Sequence, residues 1–389
     1  MRIPFNVSQP VGKENDYILM AANSGKLSGD GPFTEKCKFF IENHFHANHT
    51  LLTTSCTHAL EMAVLLLNIK PGDEIIVPSY TFSSTVNAFV LQGGIPIFVD
   101  IREDTLNIDE HKIEEKITSR TKAIFVMHYA GVACEMDIIM EIARRYNLYV
   151  VEDAAQAMTA KYKDQYLGTI GDLGTYSFHE TKNYFCGEGG ALVINNGKFI
   201  KRAEIIREKG TNRTSFVRKE VDKYSWVDIG SSYLLSEILA AFLYGQLEMW
   251  EEINQNRKRM FELYYNGLEH LQEEGLLRLP SIPTHCTPNY HMFYIIFNSE
   301  EERNKAMAYL KKYGVTAATH YIPLHLSQMG QQWCPPFERF PLTERTSKTL
   351  MRLPMYYSLS GSEQQYIIGL ISDAAKDCRS NSLPVGGII

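Results

Sequence analysis

The stretch SFHETKNYFCGEGG, Ser177 to Gly190, sets Lys182 among aromatic and small polar residues, with glycines following at 187, 189 and 190. Surface lysines ordinarily occupy charged helical faces. An amine in this company suits covalent chemistry with a carbonyl, which needs an enclosed lysine of shifted pKa. Two more segments carry groups with chemical potential. TTSCTHALEMAVLLL places Ser55, Cys56 and Thr57 ahead of an apolar helix. Free backbone N–H groups and hydroxyls there suit a phosphate, although the same residues would also serve as a plain N-cap. VVEDAAQA puts Glu152 and Asp153 at the carboxyl end of an apolar strand, the edge where open α/β sheets take ligands. Such an acid also caps helices, and once buried it needs a charged or hydrogen-bonded partner.

One ligand joins these pieces. Pyridoxal phosphate has a phosphate for the helix start at Cys56 and Thr57, a ring nitrogen that Asp153 would keep protonated, and an aldehyde that condenses with the amine of Lys182. The glycines after Lys182 let the backbone turn close to the cofactor. PSYTFSST supplies a flat side chain to stack on the ring, Phe82 or alternatively Tyr80; either would also serve as ordinary core.

The elements that must position these groups are legible as an alternation. EIIVP (74–78), IPIFVD (95–100), KAIFVMH (122–128) and LYVVED (148–153) read as strands buried on both faces. Helical patterns over 58–67, 85–91, 109–117 and 136–146 separate them, so a mainly parallel α/β sheet is expected. TYSF and GALVIN add strands on either side of the lysine stretch. A long helical region, 236–271, leads to proline-punctuated text from about Gly275, then helix, strand and helix, which reads as a smaller α+β domain. The expected division is 1–250, a large cofactor-binding domain with an N-terminal arm, and 251–389, a small C-terminal domain.

Composition narrows the function classes. The chain of 389 residues is 44% hydrophobic with a net charge of −6, which disfavours a nucleic-acid partner. No apolar run approaches the ~20 residues of a membrane span, and MRIPFNVSQP lacks the apolar core of a signal peptide. Seven scattered cysteines fit reduced thiols in a cytoplasm. There is no G-x-G-x-x-G after a strand and no P-loop. HFHANH, with His44, His46 and His49, has no acidic or Cys partner and reads as a polar helix end, so no metal is expected.

EDAAQA followed by SFHETKN and GEGG, with SGKLSGDGPFTEKC, REKGTNR, DIGSSYLLSE, THYIPLH and RLPMYYSLS around them, resembles the nucleotide-sugar aminotransferases of the DegT/StrS type over nearly the whole chain. The resemblance implies the fold-type I, aspartate aminotransferase-like architecture. It also implies transfer of an amino group from L-glutamate to C4 of a dTDP-4-keto-6-deoxyhexose. The expected products are dTDP-4-amino-4,6-dideoxygalactose, destined for surface polysaccharide, and 2-oxoglutarate, with pyridoxamine phosphate formed on the way. A C3-amino or gluco product on the same scaffold stays open. Relatives that dehydrate sugars carry His where Lys182 stands, which argues against that chemistry.

By the same resemblance Lys182 would be the Schiff-base lysine and proton shuttle, Asp153 the partner of the ring nitrogen, and Gln156 the partner of the ring hydroxyl. Ser177 would join Cys56 and Thr57 on the phosphate, with Phe82 over the ring. Relatives reach the phosphate with an Asn from a neighbouring subunit; here Ser232 falls at that place, in GSSYLLS. A homodimer with shared sites is implied. Lys26, Asn212, Arg213, Lys219, Lys223 and His320 are candidates for the nucleotide diphosphate, which needs donors and positive charge; each basic residue also reads as a solvated surface charge. Within THYIPLH, His320, Tyr321 and His325 are expected to line the sugar pocket, and either histidine would also fit a structural role.

Overall fold

The apolar runs become strands because β-branched side chains dominate them and turn residues bound them. The computed structural model, which describes residues 2–380, assembles them into a seven-stranded sheet. Residue 1 and residues 381–389, counted in the two expected domains, lie outside the described residues. The strands are β1 (Thr50–Thr53), β2 (Glu74–Pro78), β3 (Ile95–Val99), β4 (Thr121–Met127), β5 (Tyr149–Asp153), β6 (Leu173–Ser177) and β7 (Gly190–Ile194). Their order is β1-β7-β6-β5-β4-β2-β3. β3, β2, β4, β5 and β6 run parallel, and β7 is antiparallel to both its neighbours.

Alternate residues serve opposite faces, as the pleat requires. Leu52, Ile76, Ile124 and Val150 face α2 (Pro32–His44), α5 (Met136–Tyr146) and α7 (Glu237–Glu248). Leu51, Ile75, Phe125 and Val151 face α3 (Cys56–Leu66), α4 (Ser83–Val90) and α6 (Ile200–Arg207). The first helix, α1 (Glu14–Asn23), packs on α7. A second core surrounds a small antiparallel sheet of β8 (Leu277–Arg278), β9 (Tyr294–Phe297) and β10 (Leu350–Arg352). α8 (Trp250–Glu273), α9 (Glu300–Lys312) and α11 (Gly361–Ser380) cover it, while α10 (Pro341–Thr349) leads into β10. Ile3 is buried in this second core and pairs with Val315, so the start of the chain packs with its C-terminal elements.

Three local expectations change. Residues 109–117 form two short 3-10 turns, Glu110–Lys112 and Glu114–Lys116; so short a segment gains little from helix propagation, and Asp109 spends its carboxylate on the N–H of His111. The helical region 236–271 is broken at Met249, because α7 packs on the large sheet and α8 on the small one. VTAATHYI makes bridges at Val315 and Ala318 rather than a regular strand.

The topology brings one edge of the large sheet to the chemistry. β1, β2, β5 and β6 all end there, and antiparallel β7 begins there. Gly190, the first residue of β7, pairs with Thr53 and Ser177. A Cβ at Gly190 would lie 2.4 Å from the backbone nitrogen of Cys56, so only glycine lets β7 start this close to α3.

A buried carboxylate fastens α7 to α2. Glu237 accepts from the N–H groups of Gly31 (3.0 Å), Phe33 (2.8 Å) and Thr34 (2.9 Å), and from the Thr34 hydroxyl. These are the free donors of a helix start. Glu237→Ala is expected to destabilise the fold by about 3 kcal/mol, since it strands several buried donors together. Urea unfolding of the purified protein reads this as an earlier midpoint, and Glu237→Gln should lose less.

Candidate active site

Lys182 is held by a loop that closes on itself. Phe178 donates to Gly189 and Cys186 donates back to Phe178; Glu180 donates to Gly187, which turns at φ 89°. The Lys182 backbone donates to His179. Burial lowers the amine's pKa below that of an ordinary lysine, opposed by the neighbouring Cys56 and Asp153 and aided by Arg352. A neutral amine is the nucleophilic form, so the environment readies Lys182 for attack on a carbonyl.

Asp153 ends β5 almost fully buried. One oxygen accepts from the Thr85 hydroxyl (2.6 Å), the other from the Ala155 N–H (3.1 Å). Thr81 lies 2.9 Å behind Thr85. No ion-pair partner reaches Asp153 among the described residues, which is what a protonated ring nitrogen would supply. Its neighbour Glu152 points the other way. It takes His128 (2.9 Å) and the N–H groups of Gly168, Ile170 and Gly171, pinning the loops around β5.

The helix start expected to take a phosphate is that of α3. The Ser55 hydroxyl caps the helix by accepting from His58, leaving the first N–H groups, at Cys56 and Thr57, ahead of the intrahelical ladder. The Thr57 hydroxyl donates to Ser84 (2.8 Å). Burial raises the Cys56 thiol's pKa, so it adds no negative charge beside an anion. Ser177 ends β6 across from Gly190 at the same edge.

Gln156 is buried, accepting from the Ala130 N–H and donating to the Tyr321 hydroxyl, each at 2.8 Å. Its amide keeps a second N–H for a ring hydroxyl. Between the two aromatic candidates the structure distinguishes clearly. Tyr80 is 1% exposed and packs against Tyr129, His320 and Tyr321. Phe82 is 56% exposed, its ring 6.1 Å from that of Tyr321. Phe82 is therefore the ring left open to stack on a ligand.

The segment 318–325 brings His320 and Tyr321 to this group. His320 is bonded to the Tyr129 hydroxyl (2.6 Å) and stacked on Tyr321 at 3.7 Å. Burial with Arg352 and Lys182 nearby keeps it neutral. His325 is not brought in. It is buried between Ser79 (2.6 Å), Glu344 and Phe340, so its ring ties the segment to the end of β2, and the expected pocket role is replaced by a structural one.

The basic candidates sit elsewhere in the chain. Lys26 and Arg213 line a cavity of about 430 Å³ that shares no lining residue with those beside Lys182. Arg213 is paired with Glu208, and Asn212 accepts from the Ser225 N–H. Lys219, Lys223 and Ser232 are exposed on the segment that follows. Several residues of the site escaped sequence reading: Ser84 and Thr85, whose signal was the hydroxyl run after Phe82; Asn183, bonded to His291 (2.9 Å); and Arg352, a lone cation in the apolar run TLMRLP. Among the described residues no group of His, Cys, Asp and Glu could hold a metal, and no helix is long and apolar enough to cross a membrane.

Three measurements test this geometry. Lys182→Ala should give no borohydride-fixed cofactor adduct, whereas the unsubstituted protein should carry it at Lys182 alone. Asp153→Asn should keep the adduct and slow turnover by about 100-fold or more, as loss of a preorganised charge does. Capture of the cofactor by the free amine should rise through an inflection below the ~10.4 of an exposed lysine; an inflection at or above it would contradict the assigned environment.

The profile of the DegT/DnrJ/EryC1/StrS aminotransferase family matches residues 10–372. The chain is 30% identical to a GDP-perosamine synthase of Escherichia coli O157:H7 over 376 residues, 96% of this chain and 99% of that one. A putative sugar aminotransferase of Streptococcus pneumoniae, solved in its PLP form, superposes with a TM-score of 0.88 at 25% identity, covering 97% of this chain and 99% of that chain. DesV of S. venezuelae does so with 0.85 at 30% identity over 94% of each. A buried acid without an ion-pair partner among the described residues, an open helix start at α3 and an enclosed lysine fit the chemistry of a ring nitrogen, a phosphate and an aldehyde. The chain accordingly belongs to the DegT/DnrJ/EryC1/StrS aminotransferase family and is a pyridoxal phosphate-dependent sugar aminotransferase.

Proposed function

We propose that the protein moves the amino group of L-glutamate to C4 of a dTDP-4-keto-6-deoxyhexose, giving dTDP-4-amino-4,6-dideoxygalactose for surface polysaccharide. The observation that carries the chemistry is Lys182 beside Asp153, an amine of lowered pKa next to a buried carboxylate without a cation. The sugar assignment rests on the sequence likeness at EDAAQA, SFHETKN and DIGSSYLLSE. The GDP-perosamine synthase relative favours a second reading, in which the sugar carries GDP.

Pyridoxal phosphate supplies an electron-poor ring that stabilises negative charge on the carbon bearing the transferred amine. The chain's residues do the rest. Lys182 would hold the cofactor through its amine and, with that amine free, would take a proton from the donor Cα as base and return it as acid. Asp153, fixed by Thr85 and Ala155, keeps the ring nitrogen protonated. Cys56, Thr57 and Ser177 would seat the phosphate, Gln156 would orient the ring hydroxyl and Phe82 would cover the ring. His320 and Tyr321 form the wall against which the sugar lies.

A homodimer with shared sites completes this reading. Trp226 is 78% exposed, and Phe216, Val217, Val227 and Ile229 stand out from the same segment. That segment also carries Asn212, Arg213, Lys219, Lys223 and Ser232. An apolar, exposed loop with unused donors suits a partner's site, where these residues and Lys26 would hold the nucleotide diphosphate and Ser232 the cofactor phosphate. The break at Met249 and the separate core around the small sheet support a two-domain chain dividing near residue 250. The free thiols of the six described cysteines suit a cytoplasmic enzyme.

The test is a product assay. The protein is incubated with L-glutamate and either dTDP-4-keto-6-deoxyglucose or the corresponding GDP-linked sugar, and the C4 configuration is assigned by NMR. An axial amine on the dTDP sugar is expected. An equatorial amine would replace the galacto assignment with gluco, and reaction of the GDP sugar alone would establish the second reading.

A further inference from the structure

Two tyrosines stand behind His320 and decide which of its nitrogens carries the proton. Tyr80, Tyr129 and His320 are all buried. The Tyr80 hydroxyl donates to the backbone carbonyl of His320 (3.4 Å), and the Tyr129 hydroxyl meets Nδ1 of its ring at 2.6 Å. That separation is shorter than the ~2.7–3.2 Å of an N–H donor, which makes the phenol the donor. Burial holds Tyr129 un-ionised, so its proton is there to give. His320 itself is kept neutral by burial with Arg352 and Lys182 nearby. A neutral imidazole has one N–H. With Nδ1 accepting from Tyr129, that N–H is at Nε2.

This N–H is unused. Among the described residues Nε2 of His320 has no hydrogen-bond partner, yet it is not sealed in, as Nε2 of His325 is. The ring stacks on that of Tyr321 with centroids 3.7 Å apart. Tyr321 in turn takes an N–H from Gln156 (2.8 Å), and its ring lies 6.1 Å from that of Phe82. The free donor therefore belongs to the same wall as the two residues expected around the cofactor ring. The charged and titratable groups about it are Lys182, Arg352, Tyr80, Tyr129, Tyr321 and His291, and His291 is also kept neutral by burial and the neighbouring cations.

We infer that His320 is a catalytic residue that donates its Nε2–H to the keto oxygen of the sugar, and that Tyr129 is the positioning residue that fixes the tautomer. This deepens the sugar aminotransferase reading above and rests on it. When an amine attacks C4, its lone pair forms the N–C bond and the C=O π pair moves onto oxygen. A fixed N–H at that oxygen stabilises the charge as it develops, and a neutral imidazole serves because it keeps its proton throughout. A nucleotide diphosphate is the poorer occupant. It needs positive charge as well as donors, and a ring held neutral brings none.

The experiment uses the cofactor-loaded protein and three readouts. Heteronuclear NMR with labelled histidine should find the His320 proton on Nε2 from about pH 5.5 to 8.5, a span that crosses the ~6.5 of an ordinary histidine. The signal is assigned by its absence in His320→Gln, and Tyr129→Phe should move the proton to Nδ1 or let the ring titrate. Calorimetry on the pyridoxal form, which has no amine to give, should show dTDP-4-keto-6-deoxyglucose weakened about 10-fold in His320→Phe, the scale of one hydrogen bond, and dTDP by less than about 2-fold. Amination of the keto sugar by the pyridoxamine form should slow about 100-fold in His320→Phe, as on loss of an oxyanion donor, with His320→Gln, which retains an N–H, in between. Exchange of the L-glutamate Cα hydrogen with D2O, a step without a carbonyl oxygen, should stay within about 3-fold. A His320 proton on Nδ1, equal weakening of dTDP and the keto sugar, or equal losses in amination and exchange would overturn the assignment. If the unsubstituted protein aminates no keto sugar, the function reading falls by itself. The calorimetric difference then decides alone: its presence keeps the donor and its absence removes it. Circular dichroism and cofactor absorbance report whether each variant folds, and His320→Gln carries the test if the phenylalanine variant does not.

Discussion

A carboxylate buried at the end of a strand with no ion-pair partner among the described residues is the constraint from which the rest of this protein follows. Asp153 is kept by two hydrogen bonds, from Thr85 and Ala155, which satisfy its acceptors without neutralising its charge. An uncompensated buried charge is tolerated only where a ligand completes it. The surroundings are built to hold it still: Glu152, one residue earlier, collects four donors from two segments, His128 after β4 and the loop 168–171 before β6. The two adjacent acids thus divide their work, one fixing the scaffold and the other left for the cofactor.

The other side of the site carries the opposite imbalance. Lys182, Arg257 and Arg352 converge with His291 and His320, and the histidines are held neutral by burial and by that positive charge. Neutral imidazoles add no positive charge of their own to this side of the site. The large sheet supplies the acid and the phosphate seat, while the small sheet supplies the excess cation.

The start of the chain closes the arrangement. Ile3 is buried with the small sheet, Phe5 lies on Arg352, and Ser8 donates to the carbonyl of Glu180 in the Lys182 loop (3.1 Å). A few residues therefore tie the cationic wall to the covalent lysine. This stitching explains why α8 must leave the large sheet at Met249: the two cores have to face each other across the site for one short arm to reach both.

Local text determined much of this. The parallel strands were readable from their apolar, β-branched runs. Lys182, Asp153 and the α3 start were readable because each places a chemically costly group in company that would not otherwise tolerate it. The sheet order was not readable: parallel pairing joins residues far apart in sequence, and only the assembled sheet shows Gly190 against Cys56. The same holds for the choice between Tyr80 and Phe82, two residues apart with similar chemistry, since burial is set by what packs on each ring. His325 looked like a pocket residue until Ser79 and Glu344 enclosed it. Arg352 looked like a lone charge in a strand. Whether a cation is solvated, paired or waiting for a ligand depends on its neighbours in space, and those are decided by tertiary structure alone.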